Sequence, residues 1–214
     1  MLAVIRVLTI EQDAVLEQHG QVIWKKFKVP TTSYCIPAQS KGIYDEATKL
    51  QAVPKIIETI HQAERKGAKA IFISCAADPA LKEARAAFSL PIIGAGSALA
   101  AMGLALGERL GILNLVGPTP PGIVSLLGHR LVAEASPQGV ANTTDLLAHK
   151  EAALVAAKKL LKQGADVILL ACTGYSSIGM AQFITDKLEC RVVDAVEAGG
   201  AVARYVLKDE CEVK

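Results

Sequence analysis

Two cysteines of this chain stand in matching surroundings. Cys75 ends the run Gly67-Ala68-Lys69-Ala70-Ile71-Phe72-Ile73-Ser74-Cys75, and Cys172 ends Gly164-Ala165-Asp166-Val167-Ile168-Leu169-Leu170-Ala171-Cys172. The offset is constant at 172 − 75 = 97 residues. In each copy a Gly-Ala corner leads out of a helix into an apolar run too short for a helix. The thiol then stands at the strand's C-terminal end, where open α/β sheets place their ligands. A lone cysteine at a strand end is usually inert packing. A repeated pair suits one task well: a thiolate removes a proton from a carbon acid while a thiol on the other face delivers one, inverting the centre without a cofactor. Each thiol is also expected to precede a helix, whose N–H groups and dipole would lower the thiol pKa and hold an anion. The expected donors are the amides of Ala76 and Ala77 in the first copy and of Thr173 and Gly174 in the second.

Further candidates follow from position. Thr9, Ser97 and Thr119 lie at or just past the ends of expected strands, with Gly96 beside Ser97, and each hydroxyl would either reach a ligand or cap its own helix. Lys41 and Tyr44 lie on the polar loop Gln39 to Asp45, as lid residues or as ordinary solvated loop. Asp78 reads as a helix cap, and Asp194 as a carboxylate able to orient a thiol or substrate, although its partner in the first copy is Gly94. Cys35, Cys190 and Cys211 lack the repeat's context and read as structural. His19, His61, His129 and His149 show no metal-ligand spacing and no C-x-x-C pair exists, so no metal site is expected. Gly94-Ala95-Gly96-Ser97 lacks the third glycine of a dinucleotide fingerprint, and Gly117 to Gly122 lacks the Lys-Ser/Thr ending of a phosphate loop. No cofactor is expected.

The elements that must carry these residues alternate. Strands are expected at Ala3 to Thr9, Val29 to Pro37, up to Cys75, Pro91 to Gly94, Gly111 to Val116, Arg130 to Ala135, up to Cys172 and Arg191 to Asp194. Between them helices are expected at Glu11 to Lys28, Pro54 to Lys66, after Asp78-Pro79, to Leu106, to Leu127, Asp145 to Gln163 and from Ser177, with a last one at the C-terminus. Such alternation points to an α/β fold with parallel sheets covered on both faces. The duplication continues past the cysteines, since Pro91-Ile92-Ile93-Gly94-Ala95 matches Arg191-Val192-Val193-Asp194-Ala195 at 191 − 91 = 100. It predicts two similar lobes, residues 1–97 plus 197–214 and residues 98–196, with the active site in the cleft between them.

Composition narrows the partners. Across 214 residues, 23 basic and 21 acidic groups leave a net charge of +2 without long runs of one sign, and aromatics are only 4%, which argues against nucleic acid. Apolar residues reach 51%, yet charged residues and glycines interrupt every run short of a membrane span, and no secretion signal opens the chain. A cytoplasmic protein with a small-molecule substrate is expected, without disulfides, and with a homo-oligomer left open.

Ile73-Ser74-Cys75-Ala76-Ala77-Asp78-Pro79-Ala80-Leu81, followed by Pro91-Ile92-Ile93-Gly94, resembles the first cysteine segment of the aspartate/glutamate/hydantoin racemase family, closest to its hydantoin racemase branch. Leu170-Ala171-Cys172-Thr173-Gly174 resembles the second. The resemblance implies a two-lobed α/β fold and cofactor-independent proton transfer between Cys75 and Cys172, with a substrate carboxylate or imide held by nearby backbone amides. Glutamate racemases carry Asp-Ser, Asn-Thr and Thr-His where this chain has Thr9-Ile10, Ala76-Ala77 and Thr173-Gly174, which points away from a free amino acid. The expectation is a racemase or epimerase of a hydantoin or amino-acid-like carbon acid. The alternatives are a decarboxylase or cis-trans isomerase on the same scaffold, or a non-catalytic small-molecule binder.

Overall fold

The structure, a computed structural model, describes every residue except 41, 44, 141, 143, 144, 148 and 209–214. Lys41, Tyr44 and Cys211 therefore lie outside the described residues. The chain divides into two compact units, Met1–Ala95 with Gly199–Lys214, and Gly96–Ala198.

In the first unit four parallel strands, β1 (Leu2–Arg6), β2 (Thr31–Cys35), β3 (Ala70–Ser74) and β4 (Ile92–Gly94), run in the order β2-β1-β3-β4. The central pair β1 and β3 is buried along its whole length, which is why both read as apolar runs without alternation. One face packs Ile5, Ile71 and Ile73 against Ile56 and Ile60 of helix α3 (Glu46–Arg65), with Phe88 and Ile92 beside them. The helix expected from Glu11 to Lys28 is two, α1 (Asp13–Leu16) and α2 (Gln18–Phe27), parted at Glu17, whose carboxylate accepts the Ser33 hydroxyl at 2.9 Å. Pro54 does not open α3. A capping box of Asp45 and Thr48 starts the helix two turns earlier and leaves the proline inside it, where it lacks one ladder hydrogen bond.

The second unit repeats the plan with β5 (Leu110–Leu113), β6 (Leu131–Ala135), β7 (Val167–Leu170) and β8 (Arg191–Asp194), all parallel in the order β6-β5-β7-β8. Helix α7 (Lys150–Lys162) covers one face through Ala153, Ala157 and Leu160. It begins later than Asp145, because Asp145–Leu147 forms a separate 3-10 turn. After β7 the chain makes two helices, α8 (Gly174–Ser177) and α9 (Met180–Leu188), parted by Gly179 at φ +64°. The remaining helices are α4 (Leu81–Ala87), α5 (Ala95–Leu106), α6 (Pro121–Leu127) and α10 (Ala195–Val206). No helix among the described residues is long and apolar enough to cross a membrane.

Two helices pass from one unit into the other. The chain enters the second unit in the first turn of α5 and returns in the first turn of α10. Within the second unit, Gly103 of α5 abuts Leu169 of β7, where a Cβ would stand 2.8 Å from the leucine methyls. Within the first, Gly199 of α10 abuts Phe72 of β3, where a Cβ would come to 2.2 Å from the ring. Leu169 and Phe72 are equivalent in the repeat, since 169 − 72 = 97.

Candidate active site

Strand register gives the duplication a physical frame. Ile73 pairs with Gly94 in the first unit and Leu170 with Asp194 in the second, at offsets of 170 − 73 = 97 and 194 − 94 = 100. Cys75 and Cys172 each lie two residues beyond the paired strand residue, half-buried at the C-terminal end of the sheet.

Around Cys75 the local structure departs from expectation. The Asp78 N–H donates to the Cys75 carbonyl at 3.0 Å, forming a turn in which Asp78 (φ 48°) and Ala80 (φ 59°) take left-handed backbone. Helix α4 begins only at Leu81 with Ala80 in the capping position, so Asp78 does not cap it and no helix start adjoins this thiol. The Asp78 carboxylate is turned instead against Gly94, where a Cβ would lie 2.6 Å from it. Ala76 is buried and Ala77 half-buried.

The exit of β1 is tied down by Thr9. Its hydroxyl donates to the Ile36 carbonyl at 2.9 Å and accepts the Gln39 N–H at 2.8 Å, linking the ends of β1 and β2 rather than capping α1. Beneath lies a buried polar group that the sequence reading passed over. The Arg6 guanidinium donates to the carbonyls of Val15 and Leu16 at the end of α1, at 2.9 and 3.1 Å. Burial lowers its pKa to about 10, with Cys35 opposing that shift. His19 Nδ1 is 2.7 Å from the hydroxyl of Ser74, the residue before Cys75. A charged or hydroxylated residue inside an apolar strand was the available signal.

Around Cys172 a helix does start. The N–H groups of Gly174 and Tyr175 point at the sulfur, one residue further on than the expected Thr173 and Gly174. They favour the thiolate, but they lose to burial. The residue is half-buried while its sulfur is enclosed by protein, and this desolvation, with the Asp194 charge added, pushes the thiol up to about 11. The lowered pKa expected here is therefore overturned, and Cys172 is a thiol at neutral pH.

Asp194, only 1% exposed, ends β8 beside this turn. Its Oδ1 accepts the Ser176 hydroxyl and the N–H groups of Val196 at 2.8 Å and Glu197 at 3.1 Å, while Oδ2 is buried without a hydrogen-bond partner. Burial outweighs those bonds and raises its carboxyl to about 6. Tyr175, fully buried, donates its hydroxyl to the Asn114 carbonyl at 2.9 Å, just past β5. The Asn114 side-chain amide meets Thr119 Oγ1 at 2.9 Å and Glu134 Oε2 at 3.3 Å, and Thr119 donates its hydroxyl to the same carboxylate. Thr119 is thus buried in a network joining the exits of β5 and β6. Thr173 precedes α8 without a side-chain cap bond, and Gly96 and Ser97 lie in the first turn of α5.

Among the described residues no three of His, Cys, Asp or Glu gather as a metal set would. A cavity of about 510 Å³ in the first unit is lined by Cys35, Pro54, Lys55 and Glu58, among others, and by none of the candidate residues.

The model of the family described as Asp/Glu/Hydantoin racemase matches residues 26–203. No curated protein matches the sequence. Among solved structures, allantoin racemase from Klebsiella pneumoniae superimposes with a TM-score of 0.84 at 22% identity, covering 98% of this chain and 88% of that one. Allantoin racemase from Pseudomonas fluorescens gives 0.83 at 17% identity, with 98% and 91% covered. Arylmalonate decarboxylase gives 0.63 at 17% identity, with 96% and 91% covered. At these identities the likeness establishes a shared fold.

Proposed function

Because the chain belongs to the Asp/Glu/hydantoin racemase family, a family of isomerases, we propose that it inverts the stereocentre of a small hydantoin-type carbon acid, using Cys75 and Cys172 and no cofactor. The observation that carries this reading is the equivalence of the two thiols, each two residues past the same register position of its own sheet. A hydantoin's stereocentre bears a hydrogen next to a ring carbonyl, so its removal leaves an enolate whose oxygen takes the charge. One cysteine, as thiolate, takes that proton, and the other, as thiol, gives one to the opposite face. The sulfurs then have exchanged protonation states. Cys172, pushed up to about 11, starts as the donor. The amides of Ala76 and Ala77 are suited to the developing oxyanion. Ser97, Gly96 and Thr173 are proposed to line the substrate, with Thr9 and Thr119 positioning the strand exits around it.

Allantoin is the first compound to try, since two structural neighbours are named for it. The neighbouring arylmalonate decarboxylase fold supports the decarboxylase reading, but a single protonation needs one thiol and this chain keeps two in equivalent places. Single enantiomers of allantoin and of 5-substituted hydantoins, incubated in deuterated water, are expected to lose optical rotation as deuterium enters the stereocentre. Cys75→Ser and Cys172→Ser should each bind substrate and fail to racemise it, because a serine hydroxyl is too weak an acid to replace a thiolate. Near-native racemisation by both variants would refute the two-thiol reading.

A further inference from the structure

Asp194 is bonded beyond what its place in the chain requires. A residue at the start of a helix needs one acceptor for one or two amides, and an uncharged serine or asparagine provides it. Asp194 gathers three donors on Oδ1 from two elements, Ser176 of α8 and the first turn of α10, and keeps Oδ2 buried with no partner. An unpaired buried carboxylate oxygen is costly enough to call for a reason. Strand register places Asp194 opposite Leu170, two residues before Cys172, and its bond to Ser176 grips the same short helix whose amides point at the sulfur.

We propose that Asp194 is a positioning residue for Cys172, bracing the turn that carries the thiol through Ser176 and keeping the proton on the sulfur through its negative charge. It acts through Cys172 and touches no substrate. The proposal rests on reading Cys172 as a proton carrier, and it adds a charge to the burial that keeps a thiol supplied with two amide donors protonated at the start. Other groups face this corner. Tyr175 adjoins Cys172 in the same turn, and Glu197, in the first turn of α10, adds its charge to the burial of Asp194. From α7, Lys150 donates to the Ile178 carbonyl at 2.8 Å and lies over the Phe183 ring.

The test needs no substrate. The rate at which methyl methanethiosulfonate modifies Cys172 in the full chain is followed against pH by peptide mass spectrometry, with Cys75 in the same sample as reference. Asp194→Asn keeps the acceptor for all three donors and removes the charge, and Asp194→Ser keeps a helix cap and does the same. In either variant, folded by circular dichroism, Cys172 is expected to react on the order of 10-fold faster near neutral pH, as for a titration moved down by about one unit, with Cys75 unchanged. In the native protein the logarithm of the rate should climb with pH, flatten near pH 6 as Asp194 ionises, and climb again. A native-like Cys172 titration in a folded variant would overturn the proposal. So would a native curve without the inflection, even if neither variant folds. Native racemisation of allantoin and of 5-substituted hydantoins reports separately: a protein inert toward all of them, with the expected thiol behaviour, retires the racemase reading and keeps the role of Asp194.

Discussion

Asp194 gives up its hydration inside the second unit, and hydrogen bonds to one oxygen do not restore it, so its carboxyl titrates near 6 instead of 3.8. The consequence for stability has a definite sign. An acid whose pKa is raised by folding binds its proton more tightly in the native state than in the unfolded chain. Its contribution to stability is thus complete below about pH 4 and is lost as pH rises through about 6. Two units correspond to on the order of 3 kcal/mol. Urea unfolding across that window is expected to show the native protein losing stability relative to Asp194→Asn, which has no proton to lose. Parallel pH profiles for the two proteins would contradict the assignment. Cys172 follows the same logic at higher pH, since its burial outweighs two well-placed amides.

At the scale of elements, the helices that cover the sheets are held close by missing side chains. Gly199→Ala would drive a methyl into the Phe72 ring at the middle of β3, the strand that leads to Cys75. Overpacking of this kind costs about 1–3 kcal/mol, and the denaturant midpoint should fall accordingly with little change in slope. An unchanged midpoint would mean that α10 is free to move away from the sheet. Elements of this kind were legible in the sequence where their signals are local. The bounds of Arg191 to Asp194 were legible residue for residue, because this short β-branched run repeats Pro91 to Gly94, and the parallel α/β plan followed from alternation. Misreadings arose where a distant group decides. Asp78-Pro79 has the local form of a helix start, yet its carboxylate lies against Gly94, 94 − 78 = 16 residues on, and its backbone is left-handed. The thiol of Cys172 looked activated by its own helix, but the enclosing protein reverses that, and Asp194, 194 − 172 = 22 residues on, adds to the reversal. The partners of Arg6, His19 and Ser74 were not legible because they come from elements that pattern alone does not bring near.

Over the whole molecule, α5 and α10 each begin at the last strand of one unit and pack in the other. A chain stopped after Ala198 keeps every residue of the second unit but strips Phe72 and Ile23 of the cover that α10 gives them. Limited trypsin digestion of that truncated protein is expected to cut rapidly within residues 1–95 while 96–198 persists as a resistant fragment. Equal resistance of both parts would show that the first unit needs no helix from the end of the chain. The paired positions 94 and 194 also bear on descent. If the halves arose from one ancestral segment carrying an aspartate at its strand end, the first half could not have gained Asp78 in its present pose before it lost the side chain at 94, because both would fill one volume. The permitted route runs through an intermediate with a small residue at each position, so the history of the first half is an ordered pair of changes, the first of which cannot revert while Asp78 stands.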